Sequence, residues 1–379
     1  MITKLELENF TVFEELSINF SAGINVIIGE NGTGKTQLLK AAYALATTSS
    51  QNKDIDNKDI EKLFTEKFNR IFMPEDMKIG KLSRCKESKC SSIKANFLED
   101  YSRDKNISFN LSTRVQSLKL NEKSDGTLYS MEPIFIPTKE VLSLYKGLAK
   151  NPENKTVFET IFDDTYLDLC SQLKNDKEAE HDPRIQPFLE EIVNKINGQF
   201  EFENSKITFN SGIFKDYAQS TIEADKTKDG KRYFEPTPEE NLSTHMVAEG
   251  FRKLGVLHRL IDNSTLVPKK NGTLFWDEPE SNMNPKLMKL IVEILLELSQ
   301  QEQQIILTTH DYILIKWLNL LSDKHHHIKY HILYRDEESQ KVELYSTDNY
   351  LDIEPNAIAE TFNYITKEQV RIKMGGLGK

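Results

Sequence analysis

Residues 24–36 read INVIIGENGTGKT, and the reading of this stretch decides the fold. Its latter portion, Gly29-Glu30-Asn31-Gly32-Thr33-Gly34-Lys35-Thr36, fits G-x-x-x-x-G-K-[ST], the spacing of a phosphate-binding loop. Residues 24–28 before it are apolar and β-branched except at Asn25, as a buried parallel strand requires, and residues 37–45 after it have the periodicity of an amphipathic helix. Strand, glycine-rich loop and helix in that order turn successive backbone N–H groups and the positive end of a new helix toward a phosphate. An ordinary glycine-rich turn before a helix is the plainer alternative. The motif assigns Gly29 through Thr36, with Gln37, to nucleotide contact. Lys35 reaches the β- and γ-phosphates as a mobile charge, and the Thr36 hydroxyl is offered to Mg²⁺.

Working outward, the second half of the chain carries the complement. Residues 273–280 read TLFWDEPE, an apolar strand ending in two acids. This is a Walker B pattern, in which Asp277 holds Mg²⁺ and Glu278 acts as general base on the attacking water. Two surface acids at a strand end are the plain alternative. Asn284 and Pro285 read as N-cap and first helical position before an apolar run at 287–298. A further strand at 304–308 leads to Thr309-His310-Asp311, which puts His310 at another strand terminus, in reach of a γ-phosphate. Between the halves, 133–136 is a short apolar strand followed by Thr138-Lys139-Glu140. These polar groups either reach the metal or γ-phosphate from a strand end or begin a helix over 141–148 with Thr138 as its cap, and the two are compatible.

The rest is read more coarsely. Residues 2–20 carry two strand-like runs, expected as a hairpin beside the phosphate-loop strand, with Phe10, Val12 or Phe13 near an adenine or in the core. The polar stretch 47–58 signals a break, followed by a helix at 60–72. Alternating runs at 91–97, 107–111 and 115–120 predict an antiparallel β subdomain. Leu189, Ile192, Val193 and Ile196 lie on one helix face. Strand-like runs at 200–202 and 206–209 precede a polar loop at 224–232, and helix resumes over 246–261. A hairpin at 329–345 and a helix at 357–374 close the chain. Lys226, Lys228, Lys231 and Arg232 form a short basic cluster that reads as a solvated loop.

Composition narrows the function classes. The formal charge of the 379 residues is −10 and the pI about 5.5, so the summed field repels nucleic acid, though a local basic groove remains open. No apolar run of membrane-spanning length and no secretory leader is read, and a cytoplasmic protein is expected. Three cysteines, Cys85, Cys90 and Cys170, do not make a disulfide framework, and Cys85 and Cys90 lack a second pair of zinc ligands nearby. The tract His325-His326-His327 could chelate metal but fits a solvated loop better.

Together GENGTGKT at 29–36, LFWDEPESNMNP at 274–285 and LTTHD at 307–311 resemble the ABC-type ATPases of the SMC, RecF and OLD group, particularly compact stand-alone members associated with bacterial defence. The resemblance implies two ATP molecules sandwiched between protomers, hence an ATP-dependent dimer or higher oligomer. It also implies a D-loop at residues 281–284 that crosses the interface. The signature is degraded: Val247-Ala248-Glu249-Gly250 is its best match, so Glu249, Gly250 and Asn284 are the expected trans contacts. The Q-loop glutamine is missing, which leaves Thr138, Lys139 or Glu140 to stand in. No sustained heptad, no TOPRIM-like domain after His310 and no second catalytic domain is read. The expectation is therefore an α/β P-loop NTPase of ABC-ATPase type, a mixed-sheet core with an antiparallel β subdomain and a helical insertion. Residues 1–58 and 240–379 would form the core, 59–136 the β subdomain and 137–239 the signature-side lobe. Its implied cofactors are ATP and Mg²⁺. Its implied role is switching a partner effector encoded nearby, in anti-phage defence, with a RecF- or SMC-like DNA clamp as the alternative.

Overall fold

The computed structural model describes residues 1–51, 57–84, 91–99, 103–124, 131–145, 161–175, 182–203, 206–216, 232–354 and 357–375. Cys85, Cys90 and the basic residues 226, 228 and 231 lie outside them. At the centre is a six-stranded sheet in the order β14 (Val342–Thr347), β13 (Ile328–Arg335), β3 (Ile24–Gly29), β12 (Ile305–Thr309), β11 (Leu274–Asp277), β7 (Ile134–Ile136). All neighbours are parallel except the edge pair β13 and β14. The parallel strands read as continuous apolar runs because both faces are covered. Leu274 and Trp276 of β11 point into one core and Phe275 into the other.

Helix α1 (Lys35–Gln51) and α2 (Asn57–Phe72) cover one face together with a five-stranded antiparallel sheet. That sheet has the order β2 (Phe13–Asn19), β1 (Ile2–Phe10), β4 (Ser91–Glu99), β5 (Arg103–Leu111), β6 (Lys119–Lys123). The other face is covered by α3 (Asp164–Leu173), α4 (Gln186–Ile196), α5 (Glu249–Asp262), α6 (Met288–Gln300) and α7 (Tyr312–Leu321). A three-stranded antiparallel sheet, β10 (Arg232–Ser243), β9 (Lys206–Asp216), β8 (Gly198–Glu203), stands beside α4 and α5. The last helix, α8 (Ala357–Gly375), follows the β13–β14 hairpin. Among the described residues no helix is long and apolar enough to cross a membrane.

Three expectations need correction. The hairpin of residues 2–20 is not beside the phosphate-loop strand: both edges of β3 are taken by β12 and β13, and β1 pairs instead with β4. The polar run at 47–51 does not break α1. Thr48 and Ser49 donate their hydroxyls to Ala44 O and Leu45 O, so these residues are buried without unpaired donors. The helix expected over 141–148 does not begin at Val141: residues 141–144 form a bend and turns, Tyr145 is helical, and 146–148 lie outside the described residues.

One topological consequence sets up the site. Since β3, β12, β11 and β7 are parallel and in register, with Ile28 opposite Thr309, Thr308 opposite Asp277 and Trp276 opposite Ile136, their carboxyl ends share one edge. Ligands of open α/β sheets bind at such an edge.

Candidate active site

The loop after β3 curls as its glycines require. Gly34 has φ +92°, and a Cβ there would lie 2.5 Å from Val12 Cγ2 and 2.8 Å from Phe13 Cζ. Gly29 is pressed on the neighbouring strand, with Leu333 O 2.4 Å from where its Cβ would be. Glu30, Asn31 and Gly32 are exposed at the tip, whereas Thr33 is buried and donates its hydroxyl to Glu30 O at 2.8 Å. Lys35 opens α1, and its Nζ donates to Gly29 O at 2.7 Å and Glu30 O at 3.1 Å. Burial lowers its pKa, opposed by the negative charges of Glu278, Asp277, Glu280 and Glu30 in that order. Gln37, half-buried one residue beyond Thr36, has a buried Oε1 without a hydrogen-bond partner.

Asp277 ends β11 only 4% exposed, and three threonine hydroxyls point at its carboxylate. Thr36 Oγ1 is 3.0 Å from both oxygens, Thr138 Oγ1 donates to Oδ2 at 2.6 Å, and Thr308 Oγ1 donates to Oδ1 at 2.6 Å. Of the three residues that could stand in for the Q-loop glutamine, Thr138 is thus the one on the acid. Lys139 is exposed, and Glu140 turns away to Arg252 Nε at 2.9 Å.

Glu278 follows with φ +48°, a left-handed backbone costly for a residue with a Cβ. Its N–H is held by Thr308 O at 3.2 Å and Thr308 Oγ1 at 3.1 Å. His310 Nδ1 lies 3.1 Å from Glu278 Oε1; because a carboxylate only accepts, Nδ1–H donates. Glu280 is buried beneath this pair. Its Oε1 accepts from Thr309 Oγ1 at 2.7 Å and from His310 N at 3.0 Å, while Oε2 has no hydrogen-bond partner. Burial pushes its carboxyl above the usual range.

Of the expected trans contacts, Glu249 and Gly250 open α5, and Asn284 lies beyond β11. Ala248 is the N-cap and gives no side-chain cap. Gly250 is buried against its own protomer, its missing Cβ leaving space 3.2 Å from Asn282 O and 3.3 Å from Met283 Cα. Glu249 Oε1 accepts from Asn282 Nδ2 at 3.0 Å, and Asn284 is exposed and caps the following helix through Lys286 N at 3.0 Å. Phe10 and Phe13 are both fully buried, Phe10 edge-on to Phe68 and Phe72, as core packing requires. Val12, half-buried, and the Phe13 ring both lie over Gly34, so the hairpin reaches the loop through these two residues.

Sequence reasoning missed Lys253, a fully buried lysine of α5 that donates to Ser281 O at 2.7 Å and Glu278 O at 3.3 Å. Its charge on an amphipathic helix reads as a solvated face, and nothing local signals otherwise. His326 is held by Asp323 and Gln300, and among the described residues no group of three or more His, Cys, Asp or Glu could hold a metal ion.

The family described as "AAA domain, putative AbiEii toxin, Type IV TA system" matches residues 24–316, from the phosphate-loop strand through His310 into α7. The chain belongs to this family. It is also 25% identical over 237 residues to the DNA replication and repair protein RecF of Lactococcus lactis subsp. cremoris (strain MG1363), covering 58% of this chain and 65% of that one. RecF of Limosilactobacillus reuteri (strain DSM 20016) is 36% identical over 101 residues, 26% of each chain. The chain thus spans less than two thirds of the length of these relatives. Among solved structures, the SMC head bound to the C-terminal winged-helix domain of ScpA superposes with a TM-score of 0.50 at 14% identity, over 91% of this chain and 97% of that one. The fold is that of the P-loop ABC ATPase heads, and the chain is an ABC/AAA ATPase of the SMC and RecF group.

Proposed function

We propose that this protein binds ATP with Mg²⁺, hydrolyses it, and uses the cycle to join and separate a pair of protomers. The observation that carries the reading is convergence at one sheet edge. Lys35, Thr36, Thr138, Asp277, Glu278 and His310 come from four strand ends, with Thr36 Oγ1 3.0 Å from Asp277 and His310 Nδ1 3.1 Å from Glu278. The donor set suits Mg²⁺. A hydroxyl and one carboxylate are hard oxygen donors, too few to cage an ion but enough for one that keeps water and phosphate ligands. Bound there by Thr36 and Asp277, Mg²⁺ would neutralise charge on the triphosphate.

The chain's own residues do the rest. Lys35 exchanges the carbonyls of Gly29 and Glu30 for phosphate oxygens and balances the charge that builds on them. Glu278 takes a proton from water as the water oxygen attacks the γ-phosphorus and the bond to the bridging oxygen of ADP breaks. His310 fixes the carboxylate by its Nδ1–H. Glu249 and Asn284 lie at the surface that would close on a second protomer's nucleotide, with Gly250 buried directly behind Glu249.

The output is proposed as control of a partner protein in anti-phage defence, an effector whose activity follows the nucleotide state; the toxin–antitoxin description of the family supports it. A second reading, a clamp on duplex DNA, is favoured by the RecF relatives. Purified protein that neither binds ATP with Mg²⁺ nor releases phosphate would refute the enzyme. Given turnover, an ATP-stimulated, salt-sensitive shift of duplex DNA selects the clamp, and co-purification of a protein partner without DNA selects the switch.

A further inference from the structure

The first turn of α5 and the turn after Glu278 are built as one body. Gly250 allows the helix to approach Asn282 and Met283, Asn282 Nδ2 donates to Glu249, and Lys253 closes the contact one turn further on. Lys253 is 1% exposed, and its ammonium spans two carbonyls, Ser281 O at 2.7 Å and Glu278 O at 3.3 Å. Glu278 is therefore gripped from both sides, its N–H by Thr308 on β12 and its carbonyl by α5. A left-handed residue persists only where its surroundings hold it. A buried lysine is an expensive choice for this contact, since burial depresses its pKa against the support of Glu249, Glu280, Glu278 and Asp277. Apolar packing would have joined helix and turn without that cost. The ammonium adds a directional hold on the backbone of one residue.

We propose that Lys253 is a positioning residue that couples the two ATP sites of the dimer. This rests on the ATP-sandwich reading above. One protomer's triphosphate docks on the start of α5 of the other, and Lys253 carries the displacement of that helix to the carbonyl of Glu278, which serves the second ATP. Each nucleotide thereby sets the orientation of the base that acts on its neighbour, and the two-fold symmetry of the dimer makes the relation mutual.

The test uses the full chain as wild type, K253M, which keeps length and apolar stem but removes the donors, and K253R, which keeps donors. Binding of a fluorescent ATP analogue should agree within about twofold across the three, because Lys253 does not touch the phosphate loop. Wild-type turnover should rise cooperatively with ATP. K253M should lose that cooperativity and lower kcat about tenfold to a hundredfold at nearly constant KM, the scale of a misplaced catalytic group, and K253R should recover most of kcat. No recovery in K253R would assign the loss to packing and overturn the coupling. Wild type without ATP binding or turnover would remove the ATPase reading itself, and the coupling with it. Wild type with turnover and K253M equal to it in kcat and cooperativity would remove the coupling alone. If K253M does not fold, hydrogen exchange on the wild type decides. A non-hydrolysable ATP analogue should slow the amides of residues 250–253 and 280–283 together, and slowing of the first set without the second overturns the link.

Discussion

Replacing Glu278 by Gln should separate nucleotide binding from turnover. The substitution keeps side-chain length, and the Gln amide oxygen can still accept from His310 Nδ1, so the 3.1 Å contact survives. What disappears is the base. An oriented general base contributes about 10² to 10⁴ in rate, which is about 3 to 5 kcal/mol of barrier. The ground state moves the other way. Glu278 is the largest of the four carboxylate influences on Lys35, and it lies among acids that repel a triphosphate. Removing its charge lowers that repulsion, and Lys35 then relies on the incoming phosphates for its counter-charge. E278Q should therefore bind ATP at least as tightly as wild type, hydrolyse it at least a hundredfold more slowly, and accumulate a larger ATP-bound species. Titration with a fluorescent ATP analogue measures the first, phosphate release the second and light scattering the third, all with Mg²⁺ present. Equal kcat in the two proteins would remove Glu278 from its role, and parallel loss of binding and turnover would show that the side chain is structural.

Four further outcomes follow from the same geometry. Gly34→Ala should abolish nucleotide binding and cost about 3 kcal/mol in denaturant unfolding, because φ +92° is strained for alanine and its Cβ would meet Val12 and Phe13. Thr308→Val should cost about 2 kcal/mol, the worth of a buried hydrogen bond to a charged carboxylate, and raise the Mg²⁺ concentration needed for turnover; an unchanged unfolding midpoint counts against it. His331 is buried between Asn25 and Ser346 with its pKa driven down to about 3 by burial, so its neutral form is fully stabilising above pH about 6.5 and the fold loses about 1.4 kcal/mol per pH unit as pH falls from there toward 3. His331→Asn should flatten that limb of stability against pH. Glu280→Gln should hold or raise stability at neutral pH, since a carboxyl whose pKa is raised by folding weakens the fold once ionised, and the gain should fade below the ordinary carboxylate pKa of about 4.3.

The sequence made the central sheet legible because burial on both faces writes itself as unbroken apolar runs, and the site because phosphate loop and acid pair both sit at such runs. It hid what depends on partners distant along the chain. Pro236 and Pro238 disguise β10 as loop, yet β10 is an edge strand, where a missing N–H costs little, and its register with β9 shifts between Pro236 and Asn241. The hydroxyls of residues 48–50 look solvated until they are seen bonded back into α1. Lys40, Lys67 and Arg70 look like surface cations, but they bind Asp163, Asp164 and Asp168 and fasten α3 to α1 and α2. Lys253 follows the same logic, since its acceptors lie 25 and 28 residues away.

Three carboxylates crowd this edge, and the hydroxyl groups around them decide their division of labour. Asp277 has its lone pairs engaged by Thr36, Thr138 and Thr308, which suits a cation ligand already oriented and suits a proton acceptor poorly. Glu280 spends one oxygen on Thr309 and the His310 N–H and buries the other, out of reach of bulk water. Glu278 is the exception: its side chain is 21% exposed and held by a histidine ring, and among the described residues no threonine hydroxyl is hydrogen-bonded to its carboxylate. A base must keep a lone pair free for the proton it takes and must meet water to take it. Of the three acids, Glu278 meets both conditions, so the ring of threonines around its neighbours argues for the assignment as strongly as its place in the motif.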